Sequence, residues 1–226
     1  MSHSVHRHLQ VAAAEYDEAI RRFIPGYDAM IDKAASAVST IHPDRVLDLG
    51  AGTGALSERF LSKPGTGVVE VWDVDPEMLA VARGRLRAAG DRAVFEEQSF
   101  DDPFPPCDAI MASLALHHIA DLDKKAELMS RAFDALRPGG RFVNADIMMP
   151  EEDSDRQARY QAWADHQVEQ GIDEAKAWAN FEAWAEEDTY FSLEAEIEAM
   201  EEAGFLARCV WRRGPSTVLV GEVPLG

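Results

Sequence analysis

Three stretches of this chain combine residue types and spacings that could do chemistry. The first is Val46-Leu47-Asp48-Leu49-Gly50-Ala51-Gly52-Thr53-Gly54, an apolar run that enters three alternate glycines and continues into Ala55–Leu61. Glycine at that spacing makes a tight strand-to-helix turn, because the backbone can take conformations closed to larger residues and approach a ligand with no Cβ in the way. The second is Val71-Trp72-Asp73-Val74-Asp75-Pro76-Glu77-Met78-Leu79, which sets the carboxylate of Asp73 twenty-three residues after Gly50. The third is Ser113-Leu114-Ala115-Leu116-His117-His118-Ile119, with two imidazoles whose ordinary pKa near 6.5 suits proton transfer at neutral pH.

A ligand held by the glycine turn would be nucleotide-like. The glycine spacing also satisfies the looser dinucleotide fingerprint, so it does not by itself exclude NAD or FAD. Asp48 discriminates by charge. Its carboxylate lies two residues before the first glycine and would repel a pyrophosphate seated on the helix N-terminus, whereas it favours a cation. S-adenosylmethionine carries an ammonium and a sulfonium and no phosphate, so it meets that requirement. Asp73 stands close to the offset at which an acid reaches ribose hydroxyls, and Val74 would flank the adenine face. Asp75, followed by Pro76 in the favoured first helical position, reads as a helix cap.

The elements that must position these residues follow from hydrophobic period. Short apolar runs at Arg45–Leu49, Val68–Trp72, Ala93–Glu96, Ala109–Ser113 and Arg141–Ala145 alternate with amphipathic stretches. That order makes a parallel sheet covered by helices. Phe205–Trp211 and Thr217–Gly221 read as a closing hairpin. Glu77–Ala89 reads as a helix stopped by Gly90. Asp123–Leu136 reads as another, with Ala126, Met129, Phe133 and Leu136 on one face and the breaker cluster Arg137-Pro138-Gly139-Gly140 after it. The expected organisation is one domain over 1–226: a helical lid to residue 40, a cofactor-binding core over 41–150, an acidic helical insertion over 151–203, and the hairpin over 204–226.

Composition narrows the function. With 226 residues, 46% hydrophobic and 28% charged, the chain can bury a real core. Its formal charge of −19 disfavours nucleic acid as a partner. Two cysteines, Cys107 and Cys209, are too few for a disulfide framework, and no apolar run resembles a secretion signal or membrane span, so a cytoplasmic protein without membrane partners is expected. The segment 151–203 holds seventeen acids against Arg156, Arg159 and Lys176, with Tyr160, Trp163, Trp178, Phe181 and Trp184 recurring at helical spacing. His3, His6 and His8 near the start read as a frayed end, and no metal site is expected.

Through VLDLGAGTG, VWDVDPEML and ALRPGGRFVNAD, the chain resembles the class I S-adenosylmethionine-dependent methyltransferases over roughly residues 40–147. The resemblance implies an α/β, Rossmann-like seven-stranded sheet with the last strand antiparallel, helices on both faces, an N-terminal helical lid and a helical insertion before the final hairpin. Carried over by residue, it puts Asp48, Gly50 and Gly52 at the methionyl end, Asp73 on the ribose, and Ser99 with Phe100 at the adenine edge. The family often has an acid followed by a small residue at that last position. Here Gln98-Ser99-Phe100 offers a hydroxyl and a backbone N–H, and Asp101 is a substitute. Ala14-Glu15-Tyr16-Asp17 and Phe23-Ile24-Pro25-Gly26-Tyr27-Asp28 resemble the lid of a small-molecule and wobble-uridine branch, in which Tyr16 and Tyr27 would close over the cofactor. Plain packing of both tyrosines against the sheet is the competing reading.

In such a fold the end of the fourth strand, from Ser113 to His118, faces the transferred methyl. His117 or His118 could take a proton from a small-molecule acceptor, or the pair could merely shape the loop. Asp146 could orient an acceptor or cap a turn. Trp163, Trp178, Trp184, Tyr190 and Phe191 would suit a flat or cationic acceptor if they line a pocket, and would otherwise form the core under a solvated acidic face. The leading expectation is methyl transfer to oxygen, nitrogen or carbon of a small molecule. The alternatives are a carboxy-S-adenosylmethionine synthase of the wobble-uridine branch, disfavoured because Phe191–Ala203 has no Lys or Arg, and a cofactor-binding module without catalysis. Pairing of two copies through the insertion stays open.

Overall fold

Side chains alternate across the strands so that Val46, Val71, Met111, Val143 and Val220 enter one buried cluster while Leu47, Leu49, Ile110, Phe142 and Leu219 enter another. This period of two on both faces is what a sheet sandwiched by helices requires. The computed structural model describes residues 15–225. The strands are β1 (Arg45–Leu49), β2 (Val68–Asp73), β3 (Ala93–Glu97), β4 (Cys107–Ser113), β5 (Leu136–Ile147), β6 (Leu206–Arg213) and β7 (Ser216–Glu222). They form a seven-stranded sheet in the order β3-β2-β1-β4-β5-β7-β6. β1 to β5 pair in parallel, and β7 enters antiparallel between β5 and β6. The order reverses between β1 and β4, and ligands of open α/β sheets bind at the carboxyl ends of the strands flanking such a reversal.

The first face is covered by α2 (Tyr27–Ser39), α3 (Ala55–Leu61) and α4 (Pro76–Arg85), whose Met30, Ala34, Val38, Phe60, Leu79 and Ala82 share the cluster with Val46. The second is covered by α5 (Leu122–Ala135) and α8 (Leu193–Glu202) through Leu128, Met129, Ala132, Ala199 and Met200. α1 (Tyr16–Phe23) precedes α2, and α6 (Asp153–Glu169) and α7 (Glu174–Trp184) lie between β5 and α8. His3, His6, His8 and Ala14 lie outside the described residues.

Two local boundaries differ from the sequence expectation by more than two residues. α4 ends at Arg85 rather than Ala89, and the chain tightens into a 3₁₀ segment, Leu86–Arg92, broken by Gly90 at φ +57°. Arg137-Pro138-Gly139-Gly140 is not a free turn. Pairing of β5 with β4 starts at Leu136 opposite Cys107 and shifts register before Ala109. The four residues form an irregularity inside the strand, where a Cβ on Gly140 would meet the Asp108 carbonyl oxygen at 2.9 Å.

In α6 and α7 the aromatic stripe faces inward. Trp163 is fully buried, its ring 4.8 Å from that of Phe181 and 5.6 Å from that of Trp184. The acids of the segment 151–203 are exposed except Glu187, Asp188 and Glu196. Glu196 pairs with the equally buried Lys125, joining α8 to α5. Among the described residues no helix is long and apolar enough to cross a membrane.

Candidate active site

The carboxyl ends of β1, β2 and β4, with α1 and the insertion above them, enclose a cavity of about 610 Å³. One end of it is built on the glycine turn. Gly50 and Gly52 have φ of +61° and +54°, the left-handed region that favours glycine. A Cβ on Gly50 would also lie 2.7 Å from the Cβ of Ala115, so the close approach of the two loops depends on its absence. Asp73, at the end of β2, accepts the Gly52 N–H at 2.7 Å and the Asp75 N–H at 2.8 Å. Those bonds fix the carboxylate at the cavity wall, while burial raises its pKa against their pull. Asp75 caps α4, accepting the Glu77 N–H at 2.9 Å.

Of the residues singled out from sequence, Tyr16, Tyr27, Gly50, Gly52, Asp73, Val74, Ser99, Phe100, Ser113, His117 and His118 line this one cavity. Asp48 does not. It is fully buried beneath the turn, where its Oδ2 accepts the Ser57 hydroxyl at 2.5 Å and its Oδ1 has no hydrogen-bond partner. Burial pushes its pKa up to about 7. Ser99 is engaged in its own turn, its N–H donating to Asp102 and its hydroxyl accepting the Asp101 N–H. Tyr16 and Tyr27 both line the cavity and pack against the core beside β1. Of the five insertion aromatics, Trp163, Trp184 and Tyr190 reach the cavity. Trp178 is absent from the lining and stands edge-on to Phe181, and Phe191 is turned toward Lys125, whose ammonium sits 4.9 Å from its ring centre.

The other end of the cavity holds the titratable groups. Leu114 takes φ +49°, unusual for a branched residue, and turns the chain from β4 into the short 3₁₀ segment Leu116–His118. His117 is thereby set against Asp146 of β5. Its Nδ1 lies 2.6 Å from Asp146 Oδ1, and its backbone N–H donates to Asp146 Oδ2 at 3.1 Å. Asp146 Oδ1 also accepts the Ile147 N–H at 2.8 Å. With Nδ1 protonated toward Asp146, the lone pair of a neutral His117 resides on Nε2. That atom is 3.6 Å from Asp188 Oδ1, which in turn lies 3.2 Å from His118 Nδ1, and Asp188 Oδ2 accepts the Tyr190 hydroxyl at 2.6 Å. Burial pulls the His117 pKa down, but the Asp146 and Asp188 carboxylates outweigh it and hold the imidazole above its ordinary value. The same partnership, with the Asp146–His117 bond, keeps the Asp146 carboxyl below the usual range despite its burial.

His117, His118 and Asp188 present one ligating atom each within 4.8 Å of one another. A cation there would take the Nε2 lone pair, so metal binding and proton abstraction compete for the same atom. The sequence reading missed Asp188, because nothing local distinguishes it among the seventeen acids of its segment. It also missed Asp17 of α1, which accepts the Thr53 hydroxyl at 2.7 Å and pairs with Arg85, tying α1 to the glycine turn.

Residues 46–140 match the family described as methyltransferase domain. An uncharacterised methyltransferase of Geobacillus kaustophilus is 28% identical over 151 residues, covering 66% of each chain. The ubiquinone/menaquinone biosynthesis C-methyltransferase of a Vibrio cholerae strain is 33% identical over 158 residues, covering 65% of this chain and 59% of the relative. Human N-acetylserotonin methyltransferase, solved in complex with S-adenosylmethionine, superposes with a TM-score of 0.62 at 20% identity, over 85% of this chain and 51% of that one. The chain spans less than two thirds of the length of these relatives.

Proposed function

We propose, for a chain that belongs to the class I S-adenosylmethionine-dependent methyltransferases, that it methylates a small organic acceptor whose proton is removed by His117. The observation that carries this is the Asp146–His117 pair, held at 2.6 Å, opening into the same cavity as the glycine turn and Asp73.

The residues present fit the cofactor. Asp48 offers a buried, unpartnered carboxylate oxygen beneath the turn, which a cationic methionyl end above it would draw toward its charged form. Asp73 stands where ribose hydroxyls would be met, Val74 is exposed beside it, and Ser99, Phe100 and Asp101 border the adenine end. When bound, S-adenosylmethionine supplies a methyl group on a positively charged sulfur, which departs as the neutral thioether of S-adenosylhomocysteine. Everything else is the work of this chain. Tyr16, Ile20 and Phe23 of α1 line the cavity with apolar surface, which would orient and partly desolvate the reacting groups. Asp146 fixes the His117 ring and its tautomer. Nε2 of His117 takes the proton from an acceptor hydroxyl, amine or acidic carbon while that atom's electron pair forms the new bond to carbon.

A small-molecule acceptor is favoured over a macromolecule because the site is a concave cavity of about 610 Å³, and the charge of −19 disfavours nucleic acid. The two free cysteines are in keeping with a cytoplasmic setting. The relatives include a C-methyltransferase by name, and a general base serves carbon and oxygen acceptors alike. The test is to incubate the protein with S-adenosylmethionine and an acceptor library and to follow S-adenosylhomocysteine by mass spectrometry. Wild-type should turn over and His117→Ala should lose most of the rate with cofactor affinity retained. Equal rates in the two proteins would remove the base from the scheme.

A further inference from the structure

The end of the cavity assigned to adenine is bordered by a turn whose backbone donors are spent, with one exception. Between β3 and β4 the Ser99 N–H donates to Asp102 Oδ2 at 2.8 Å, the Asp101 N–H to the Ser99 hydroxyl at 3.1 Å, and the Asp102 N–H to the Ser99 carbonyl oxygen at 3.0 Å. The peptide that joins Ser99 to Phe100 is planar and trans, so with its carbonyl bonded inside the turn its N–H points out of it. That Phe100 N–H makes no hydrogen bond among the described residues, and Ser99, Phe100 and Asp101 all line the cavity.

The three carbonyl oxygens that follow are collected by one side chain. Arg131 of α5 donates from Nη2 to the Phe100 carbonyl at 2.9 Å, and from Nη1 to those of Asp101 at 3.2 Å and Asp102 at 2.9 Å. Its guanidinium carbon lies 4.9 Å from the centre of the Phe104 ring, which stands 6.0 Å from that of Trp72, the residue before Asp73. Arg131 itself does not line the cavity. A planar guanidinium holds several acceptors at fixed angles, which an ammonium does not reproduce. The peptides on both sides of the Phe100 N–H are therefore anchored, one by the turn's own bonds and the other by α5, and the unspent N–H becomes a donor of fixed direction. Adenine carries an acceptor at N1 beside its amino group. Hypoxanthine carries an N–H at that position and a carbonyl oxygen in place of the amino group, so a fixed donor that meets the first opposes the second.

We propose that Arg131 is a positioning residue for the cofactor: by holding the carbonyls of Phe100, Asp101 and Asp102 it fixes the turn that meets the base, and so sets a preference for adenine over a 6-oxopurine. The proposal rests on the cofactor reading above, which places the base at this turn.

Two ligands that differ only at the base edge test it. Wild-type, Arg131→Met and Arg131→Lys are titrated by calorimetry with S-adenosylhomocysteine and with S-inosylhomocysteine, its deaminated counterpart, at a temperature where thermal melts show all three folded. Wild-type should bind the adenine compound about 10- to 100-fold more tightly, the factor expected for one hydrogen bond exchanged for two opposed donors. In Arg131→Met that ratio should fall to about threefold or less, mainly through weaker binding of S-adenosylhomocysteine. Arg131→Lys, which keeps the charge and gives up the planar fork, should fall between the two. The ratio is the deciding readout, because a general loss of stability would weaken both ligands alike. A wild-type ratio near one, a ratio unchanged in Arg131→Met, or a lysine variant equal to wild-type overturns the proposal while leaving the cofactor reading in place. Failure of wild-type to bind S-adenosylhomocysteine at all overturns the cofactor reading and the role of Arg131 with it.

Discussion

Asp146→Asn changes one atom pair and should stop most of the chemistry. In the wild-type, Asp146 Oδ1 accepts from both His117 Nδ1 and the Ile147 N–H, while Oδ2 accepts the His117 backbone N–H. An asparagine has one oxygen for these three donors. If its NH₂ faces Nδ1, the imidazole must carry its proton on Nε2 and has no lone pair for the acceptor. If its NH₂ faces the His117 backbone N–H instead, two donors collide. Loss of a general base costs about 10²–10⁴ in rate, or about 3–5 kcal/mol of barrier. The buried backbone donor left without a carboxylate oxygen should cost a further ~1–3 kcal/mol of stability. The pH profile gives a second readout. His117 must be neutral to act, and its pKa is raised by Asp146 and Asp188, so the wild-type rate should fall as pH drops through a value above the ordinary one. In Asp146→Asn the residual rate should keep its acid limb at lower pH, because one of the two carboxylates is gone. Initial rates of S-adenosylhomocysteine formation from pH 5 to 9, with cofactor affinity measured in parallel, decide the matter. A variant that keeps the wild-type rate within about threefold, or an acid limb that does not move, refutes the dyad.

Other perturbations separate the parts of the site. His118→Ala should reduce kcat far less than His117→Ala, because His118 lacks the Asp146 bond, and equal losses would contradict that division. Asp48 is ionised with difficulty: its folded pKa, about 7 against an ordinary 3.8, makes the protein most stable where Asp48 is protonated and less stable as pH rises through about 7. The upper limit of that effect is about 4 kcal/mol. Asp48→Asn, which keeps an acceptor for Ser57, should therefore gain stability relative to wild-type between pH 5 and pH 8 in urea melts, and parallel curves would refute the burial argument. Lys125→Met leaves Glu196 as an uncompensated buried charge and should cost about 3–5 kcal/mol, whereas Lys125→Met with Glu196→Leu should recover most of it. A double variant no better than the single would show that the pair does more than neutralise itself.

How much of this was legible in the sequence depended on distance along the chain. The glycine turn, the Asp75 cap and the alternation of Val46 with Leu47 are local, and local geometry writes itself into residue type and period. Asp73 meets the Gly52 N–H across twenty-one residues because parallel pairing of β1 with β2 brings the two strand ends together, a consequence of topology that motif spacing records. Asp188 is different. It reaches His117 only because α6 and α7 fold back over the strand ends, and an acid in an acid-rich segment carries no mark of that role. Helical spacing could not tell Trp163, which lines the cavity, from Trp178, which does not, since both lie on apolar stripes. Asp48 is the reverse case. Its position beside the glycines marked it as part of the site, yet the inward-facing register of β1 buries it beneath the turn, outside the cavity lining.

The central claim is that the glycine crevice, with Asp73 on its wall and Asp48 buried beneath it, accepts a sulfonium nucleoside and not a dinucleotide. Calorimetric titration of the wild-type and of Asp73→Ala with S-adenosylmethionine and with NADH tests it most directly. The account predicts micromolar or tighter binding of S-adenosylmethionine, a loss of about tenfold or more in Asp73→Ala at a temperature where the variant is fully folded, and no heat from NADH. Tight NADH binding, or S-adenosylmethionine affinity indifferent to Asp73, would contradict it.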